Sequence, residues 1–374
     1  MSSALDTAEV AMLTDTVRRT MLRAAGPELV TALGELGWPE LLADAPELAV
    51  PLVFRLLGET GSHGPLLLDV LRHAGATPTA LPFAGGRWVE WAGTPPPADD
   101  RANGHGQGET GAALREPGAS SAALREPGAS STDRREPSAS SVGSVDEALP
   151  LRAAAAGTTL PAHALAEGRR ALGWWLLGTG HAMLALARTH VLERTQFGRP
   201  LASFQAVRHR LAETLVALDG AEAALLVADE AAEAARHAGH AAHDASRPGG
   251  PAAPTAHGPA APTAHGPAAP TAHGPAAPTA DDPAAPAAHG LDPATAAAHA
   301  ALLAKAAAGQ AGFTAARHCQ QVLGGIGFTA EHALQGHVRR TLVLDGLLGS
   351  SAELTRAAGA HIRKAGAAPR LAQL

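Results

Sequence analysis

Between Thr7 and Ala24 the apolar residues Val10, Leu13, Val17 and Met21 fall three and four positions apart, the spacing of one helix face. Thr7 is the candidate N-cap there, with Glu9 in the first turn. The same rhythm predicts short helices over 27–36 (ended by Gly37), 46–57 and 65–74. Over 81–92 the period changes: Trp88-Val89-Glu90-Trp91 alternates and predicts one strand. After Pro161 the helical signal strengthens. A long Ala/Leu helix is expected from Ala164 to Glu193. A second runs from Phe204 to Ala235, with Val207, Leu211, Leu215, Leu218, Ala221 and Leu225 on its stripe. Further helices are expected over 293–323, 331–348 and 350–364. Long helices with apolar stripes pack as antiparallel bundles. The fold class is therefore mainly α: an N-terminal helical domain over 1–75, a middle region over 76–160 and a C-terminal antiparallel helix bundle over 161–374.

Two low-complexity tracts interrupt this pattern. Residues 112–141 hold three ten-residue units, AALREPGASS twice and then TDRREPSASS. From Pro251 to Gly290 run five eight-residue units: PAAPTAHG three times, then PAAPTADD and PAAPAAHG. Units with almost no large apolar residue cannot offset the entropy of ordering. Disorder is expected over 97–145 and 244–291, with polyproline character in the second tract.

Composition narrows the function classes. The hydrophobic fraction is 46%, yet there are only 5 Trp, 6 Phe and no Tyr, so Ala dominates and a large all-β fold is excluded. Net charge is -6 and basic residues form only isolated pairs, Arg169-Arg170 and Arg339-Arg340, which excludes a nucleic-acid groove. The single Cys319 cannot form an internal disulfide and fits a reducing, cytoplasmic setting; its place among apolar helix positions predicts a buried structural thiol. The N-terminus lacks the basic start and apolar core of a signal peptide. The longest apolar stretch, Ala171–Ala187, is broken by Thr179 and His181 and reads as a buried helix, with Trp174 and Trp175 as core anchors, and no membrane partner is expected. His237, His240 and His243 recur every third residue, but no carboxylate or Cys cluster supports them, so an exposed helix end is expected and no metal site.

Three segments carry candidate chemistry: Arg194-Thr-Gln-Phe-Gly-Arg-Pro-Leu-Ala-Ser-Phe-Gln205, Cys319-Gln-Gln-Val-Leu-Gly-Gly-Ile-Gly-Phe-Thr-Ala-Glu-His332, and Arg339-Arg340 running into Gly349-Ser350. Arg194 is a permanent cation with a planar fork suited to a pyrophosphate. Gly324 and Gly325 let a phosphate or planar group approach backbone N–H groups, and Gln321 offers an amide. In this order the segments resemble the C-terminal bundle of the acyl-CoA dehydrogenase family, through the RxxFGxPxxxFQ and QxxGGxGF patterns. The segment LGELGWPELL resembles that family's N-terminal helices. The likeness covers roughly 1–75 and 161–374 without the insertion, and leans toward the actinobacterial subgroup acting on steroid or fatty acyl-CoA. The resemblance implies a flavoprotein oxidoreductase of lipid metabolism. It implies FAD as cofactor, held by Arg194, Gln196, Phe197, Phe204, Gln205, Gln321, Gly324, Gly325 and Ser350, an acyl-CoA substrate, and a homodimer or a heterotetramer with a related subunit.

The departures from that family are equally specific. Its chemistry removes the α-proton of an acyl thioester with a carboxylate while FAD takes hydride from Cβ. The usual place of the carboxylate falls on Leu348, and the alternative place on Gly168. Glu167 is one residue off and about 100° around the helix, so it is the weak candidate, expected as a solvent-facing first-turn acid. Asp345 is a further candidate, a turn removed. The family's central β-domain is largely lost from 76–160, and the unit ALREPGASS resembles its TEPGAGSD-like loop with Arg115 in place of Thr. These readings point to the base-lacking partner of a heteromeric dehydrogenase; the competing reading is a non-enzymatic helper or decaying paralogue that keeps only the helical dimer scaffold.

Overall fold

The computed structural model describes residues 6–92, 146–245 and 291–365. The low-complexity units at 112–141 and 251–290, the Arg115 loop likeness and most of both stretches expected to be disordered lie outside these residues. Among the described residues there are ten α-helices and a small amount of sheet.

The N-terminal helices are α1 (Thr7–Met21), α2 (Pro27–Glu35), α3 (Trp38–Asp44), α4 (Pro46–Thr60) and α5 (Leu66–His73). The N-cap of α1 is Asp6, one residue before the expected Thr7. Its carboxylate accepts from Glu9 N–H while Glu9 accepts from Asp6 N–H, a reciprocal pair that satisfies two orphan donors. Sequence reading missed α3, which is only seven residues long, because Gly37 ends α2 and starts a new helix at once. α4 runs three residues beyond the expected Leu57.

The strand expected over 81–92 is a hairpin, β1 (Leu81–Phe83) and β2 (Arg87–Trp91). A third antiparallel strand, β3 (Leu151–Ala154), was not foreseen; it pairs Trp91 with Leu151 and Trp88 with Ala154. Its four residues are too few for alternation to show. β1 also docks on the chain around Gly346–Leu348, where Ala84 N–H donates to Gly346 O and Leu348 N–H donates to Pro82 O, each at 2.8 Å.

The bundle comprises α6 (Ala162–Glu193), α7 (Gln205–Ala245), α8 (Pro293–Leu323), α9 (Ala333–Gly346) and α10 (Ser351–Ala365). α7 runs ten residues beyond the expected Ala235 and takes in Asp244 and Ala245 from the stretch expected to be disordered. His237 and His240 are exposed on it, and no three-residue metal-binding group occurs among the described residues. No helix here is long and apolar enough to cross a membrane. Trp175 is fully buried, edge-on to Phe54 at 5.9 Å, and Trp174 donates to Asp229 at 3.1 Å. One apolar cluster joins the N-terminal helices to the bundle, from Val17 and Phe54 through Trp175 to Leu348.

Glycines set how closely the helices approach. At the α4–α6 crossing, a Cβ on Gly58 would strike the backbone of Trp175 and Thr179, and one on Gly178 would strike the carbonyl of Arg55. Gly178→Ala is expected to cost about 2–3 kcal/mol, because backbone cannot give way as a side chain can. Gly220, in α7, faces open space, and Gly220→Ala should stabilise by about 0.5–1 kcal/mol. Urea unfolding of the two variants checks both signs.

Candidate functional site

α6 ends at Glu193, and the chain reverses through a two-stranded ribbon, β4 (Thr195–Gln196) and β5 (Arg199–Pro200). Phe197 and Gly198 form its turn with φ of 52° and 76°, the left-handed pair that two-residue hairpins require. A short 3₁₀ turn, Leu201–Ser203, then leads into α7. On the facing side, α8 ends at Leu323, and Gly324, at φ 65°, starts the 3₁₀ turn Gly324–Phe328.

These segments enclose an open cleft of about 680 Å³ that brings together Arg194, Gln196, Gln321, Gly324 and Gly325, with His190 and Arg210 beside them. Ala206 and Val207 of the first turn of α7 also line it, so the positive end of that helix dipole faces the cleft. The Arg194 guanidinium and the side-chain amides of Gln196 and Gln321 make no hydrogen bond or ion pair among the described residues. A Cβ at Gly324 or Gly325 would meet nothing within 4 Å, so the turn is open to a ligand. His190 is held below its ordinary value by burial, and then by the Arg194 and His332 charges. An Arg fork, free amides, exposed glycine backbone and a helix N-terminus are groups able to donate hydrogen bonds to a phosphate ester.

The other expected cofactor residues lie elsewhere. Phe197 is 90% exposed at the ribbon tip, edge-on to Phe204 at 6.2 Å, and Arg199 stacks on Phe204 at 4.1 Å. Gln205 opens α7 with its amide 3.4 Å from His209. Ser350 donates its hydroxyl to Glu353 at 2.9 Å, in the α9–α10 connection. None of these four residues lines the cleft.

The positions for a base are closed. Leu348 is 1% exposed. A Cβ on Gly168 would come within 2.6 Å of the Leu348 side chain and 2.9 Å of Leu71, with Leu67 behind them. The two positions thus face each other across a packed apolar seam. Glu167 is not the solvent-facing first-turn acid expected from sequence. α6 starts two residues early, at Ala162, which puts Glu167 in its second turn. There it is half-buried and ion-paired with Arg170 at 2.6 Å and Arg236 at 3.7 Å. The paired Arg170, itself 1% exposed, also binds Asp229 at 2.5 Å. Asp345 is buried, and its carboxylate accepts from Ser351 N–H at 3.0 Å.

Sequence reading missed the two cations that hold this seam. Lys305 of α8 is fully buried and donates to Asp345 O at 2.9 Å and Gly349 O at 2.6 Å. Arg169 donates to Leu348 O at 3.1 Å. A Lys inside the Ala301–Ala308 stripe was the available signal, a charge on an otherwise apolar face. Burial pushes the Lys305 ammonium down to about 7, against the pull of Asp345 and with the push of Arg169, while Glu353 pulls it up. Burial alone lowers Arg169 to about 10. Cys319 is fully buried and its thiol is pushed up to about 12, which leaves it without nucleophilic character at neutral pH.

The sequence profile described as acyl-CoA dehydrogenase, C-terminal domain, matches residues 155–249 and 284–362. A variant of the Tcur3481-Tcur3483 steroid ACAD is 17% identical and superposes with a TM-score of 0.51 over 96% of this chain and 99% of that one. Butyryl-CoA dehydrogenase from Megasphaera elsdenii is 18% identical, with a TM-score of 0.35 over 54% of this chain and 37% of its own. Glutaryl-CoA dehydrogenase from Mycobacterium smegmatis is 18% identical, with a TM-score of 0.36 over 60% and 41%. The chain thus spans about two fifths of the length of these last two. No curated protein sequence matches it.

The Lys305 environment makes a signed prediction. An unfolded lysine titrates near 10.5 and the folded one near 7, so between those values the unfolded chain holds more protons and stability rises with pH. Urea unfolding across that range should show the wild type gaining stability with pH relative to Lys305→Met; parallel profiles would contradict the buried charge.

Proposed function

Because the chain belongs, through its C-terminal bundle, to the acyl-CoA dehydrogenase family, we propose that it is the base-lacking subunit of a heteromeric, FAD-dependent acyl-CoA dehydrogenase. The observation that carries this reading is the contrast between an open phosphate-ester cleft around Arg194 and Gln321 and a sealed base position at Leu348 and Gly168. The steroid ACAD of matching length bears a two-component name, Tcur3481-Tcur3483, which supports a partnered enzyme.

The donor set suits the diphosphate of FAD. Arg194 would hold phosphate oxygens through its planar fork, the Gly324-Gly325 backbone would offer N–H groups, and Gln196 and Gln321 would supply neutral donors and acceptors. When bound, FAD supplies the hydride acceptor for removal of hydrogen from Cα–Cβ of an acyl thioester. This chain's own residues bind and orient that cofactor from the bundle side. Among the described residues, the candidate positions offer no acceptor for the α-proton: Leu348 carries an alkyl side chain, Glu167 is paired with Arg170 and Arg236, and Asp345 caps α10. The carboxylate therefore comes from the partner. The exposed ribbon at Phe197 and the exposed Ile326 and Phe328 flank the cleft side of the bundle, where a partner would shield apolar surface.

General-base catalysis typically contributes ~10²–10⁴-fold, so the purified chain alone should dehydrogenate acyl-CoA at or near background even with added FAD. Co-expressed with a related subunit that carries a carboxylate, it should form a yellow complex, and Arg194→Ala should lower the flavin content of that complex while the helical signal in circular dichroism stays intact. Robust turnover by the homomer would overturn the base-lacking assignment. A stable but colourless complex would favour the helper role instead.

A further inference from the structure

Arg210 entered none of the family motifs, yet it shares the cleft with Arg194. It lies on α7 one turn after Ala206 and Val207, so all three present to the same opening. A closed chain of hydrogen bonds fixes it. Thr214 Oγ1 donates to Arg210 O at 2.8 Å, which uses the only hydroxyl proton. The contact of 3.1 Å between Thr214 Oγ1 and His318 Nδ1 must therefore be donated by the ring, which assigns the proton to Nδ1. His318 Nε2 is left as an acceptor, and Arg210 Nη1 approaches it at 3.3 Å. His318 is 7% exposed, so the ring is anchored in the α7–α8 seam. The one carboxylate in reach, Glu213, lies 3.4 Å from the same Nη1 and is itself largely exposed. The remaining guanidinium N–H groups of Arg210 have no partner among the described residues.

We infer that Arg210, held by His318 and Thr214, is a second cation of this cleft and binds the same diphosphate that Arg194 binds. The inference rests on reading the cleft as a diphosphate site, and adds to it a specificity element. A single guanidinium serves a monophosphate as well as a diphosphate. Two guanidinium groups lining one cleft, one just after the end of α6 and one in the second turn of α7, favour a ligand with two linked phosphates over a single phosphate. An anchored side chain also binds with less entropy loss than a free one, which gives His318 a positioning role. An exposed Arg210–Glu213 pair three residues apart on one helix contributes little to stability, so the buried imidazole behind it is unexplained by that pair alone.

Calorimetric titration of ADP into the full chain at low ionic strength tests this. Arg210→Ala should weaken ADP about tenfold, and Arg210→Lys should recover part of that loss. His318→Ala should weaken ADP a few-fold, and His318→Gln, whose amide oxygen can accept from Arg210, should restore it; a merely structural histidine would show no such rescue. AMP should lose less than ADP on Arg210→Ala. If Arg210→Ala binds ADP like wild type while Arg194→Ala loses it, this inference fails and the diphosphate reading stands. If the wild type binds no ADP, both fail.

Discussion

Three backbone carbonyls, those of Asp345, Leu348 and Gly349, turn into the protein interior where α9 ends, and they have to be satisfied without water. Lys305 and Arg169 do this, from α8 and α6. Much of the architecture follows from that constraint. The connection between α9 and α10 is pinned in a left-handed turn, with Leu348 at φ 55° and Gly349 at φ 101°. Pinned so, Leu348 points into the notch left by Gly168, and its N–H is offered to β1. The small sheet then has an edge to dock on, where Phe83 lies so close to Gly346 that a side chain there would collide with its ring. A buried ammonium is a costly way to hold a turn, and three elements depend on it here.

The bundle keeps one end open and closes the other. At the open end, Arg194, the glycine turn and the start of α7 leave donors unpaired around a cavity. At the closed end, the carboxylates and the hydroxyl near Leu348 are engaged: Asp345 by Ser351, Glu167 by two arginines, Ser350 with Glu353. Unpaired donors in a cleft are what a ligand satisfies, whereas paired groups in a packed seam have nothing left to give. That asymmetry, more than any single motif, carries the proposal that this chain binds a cofactor and leaves proton abstraction to a partner.

The sequence revealed the long elements well and the short ones poorly. The apolar stripe of α8 gave both its bounds, Pro293 and Leu323, because a proline start and a glycine stop frame an unbroken period. The α3 helix and the β3 strand were missed because seven and four residues are too few for periodicity to speak. Of the site, Arg194, Gln321 and the glycine pair were legible from motif spacing and do share one cleft, whereas Phe204 and Ser350, read from the same motifs, do not line it. For Lys305 only a charge on an apolar stripe was legible, and for Arg210 and His318 nothing was. Their roles depend on contacts between helices far apart in the chain, such as Lys305 with Gly349 or His318 with Thr214, and a one-dimensional pattern carries no trace of those.

If the bundle cleft holds a nucleotide diphosphate, as proposed, and the sealed position at Leu348 takes no part, protection by the ligand falls on the cleft alone. Hydrogen–deuterium exchange of the full chain with and without FAD addresses it most directly. Slower exchange is expected over residues 194–210 and 321–326, with no change over 346–350, which do not line the cleft. Protection over 346–350 without protection of the cleft would contradict it.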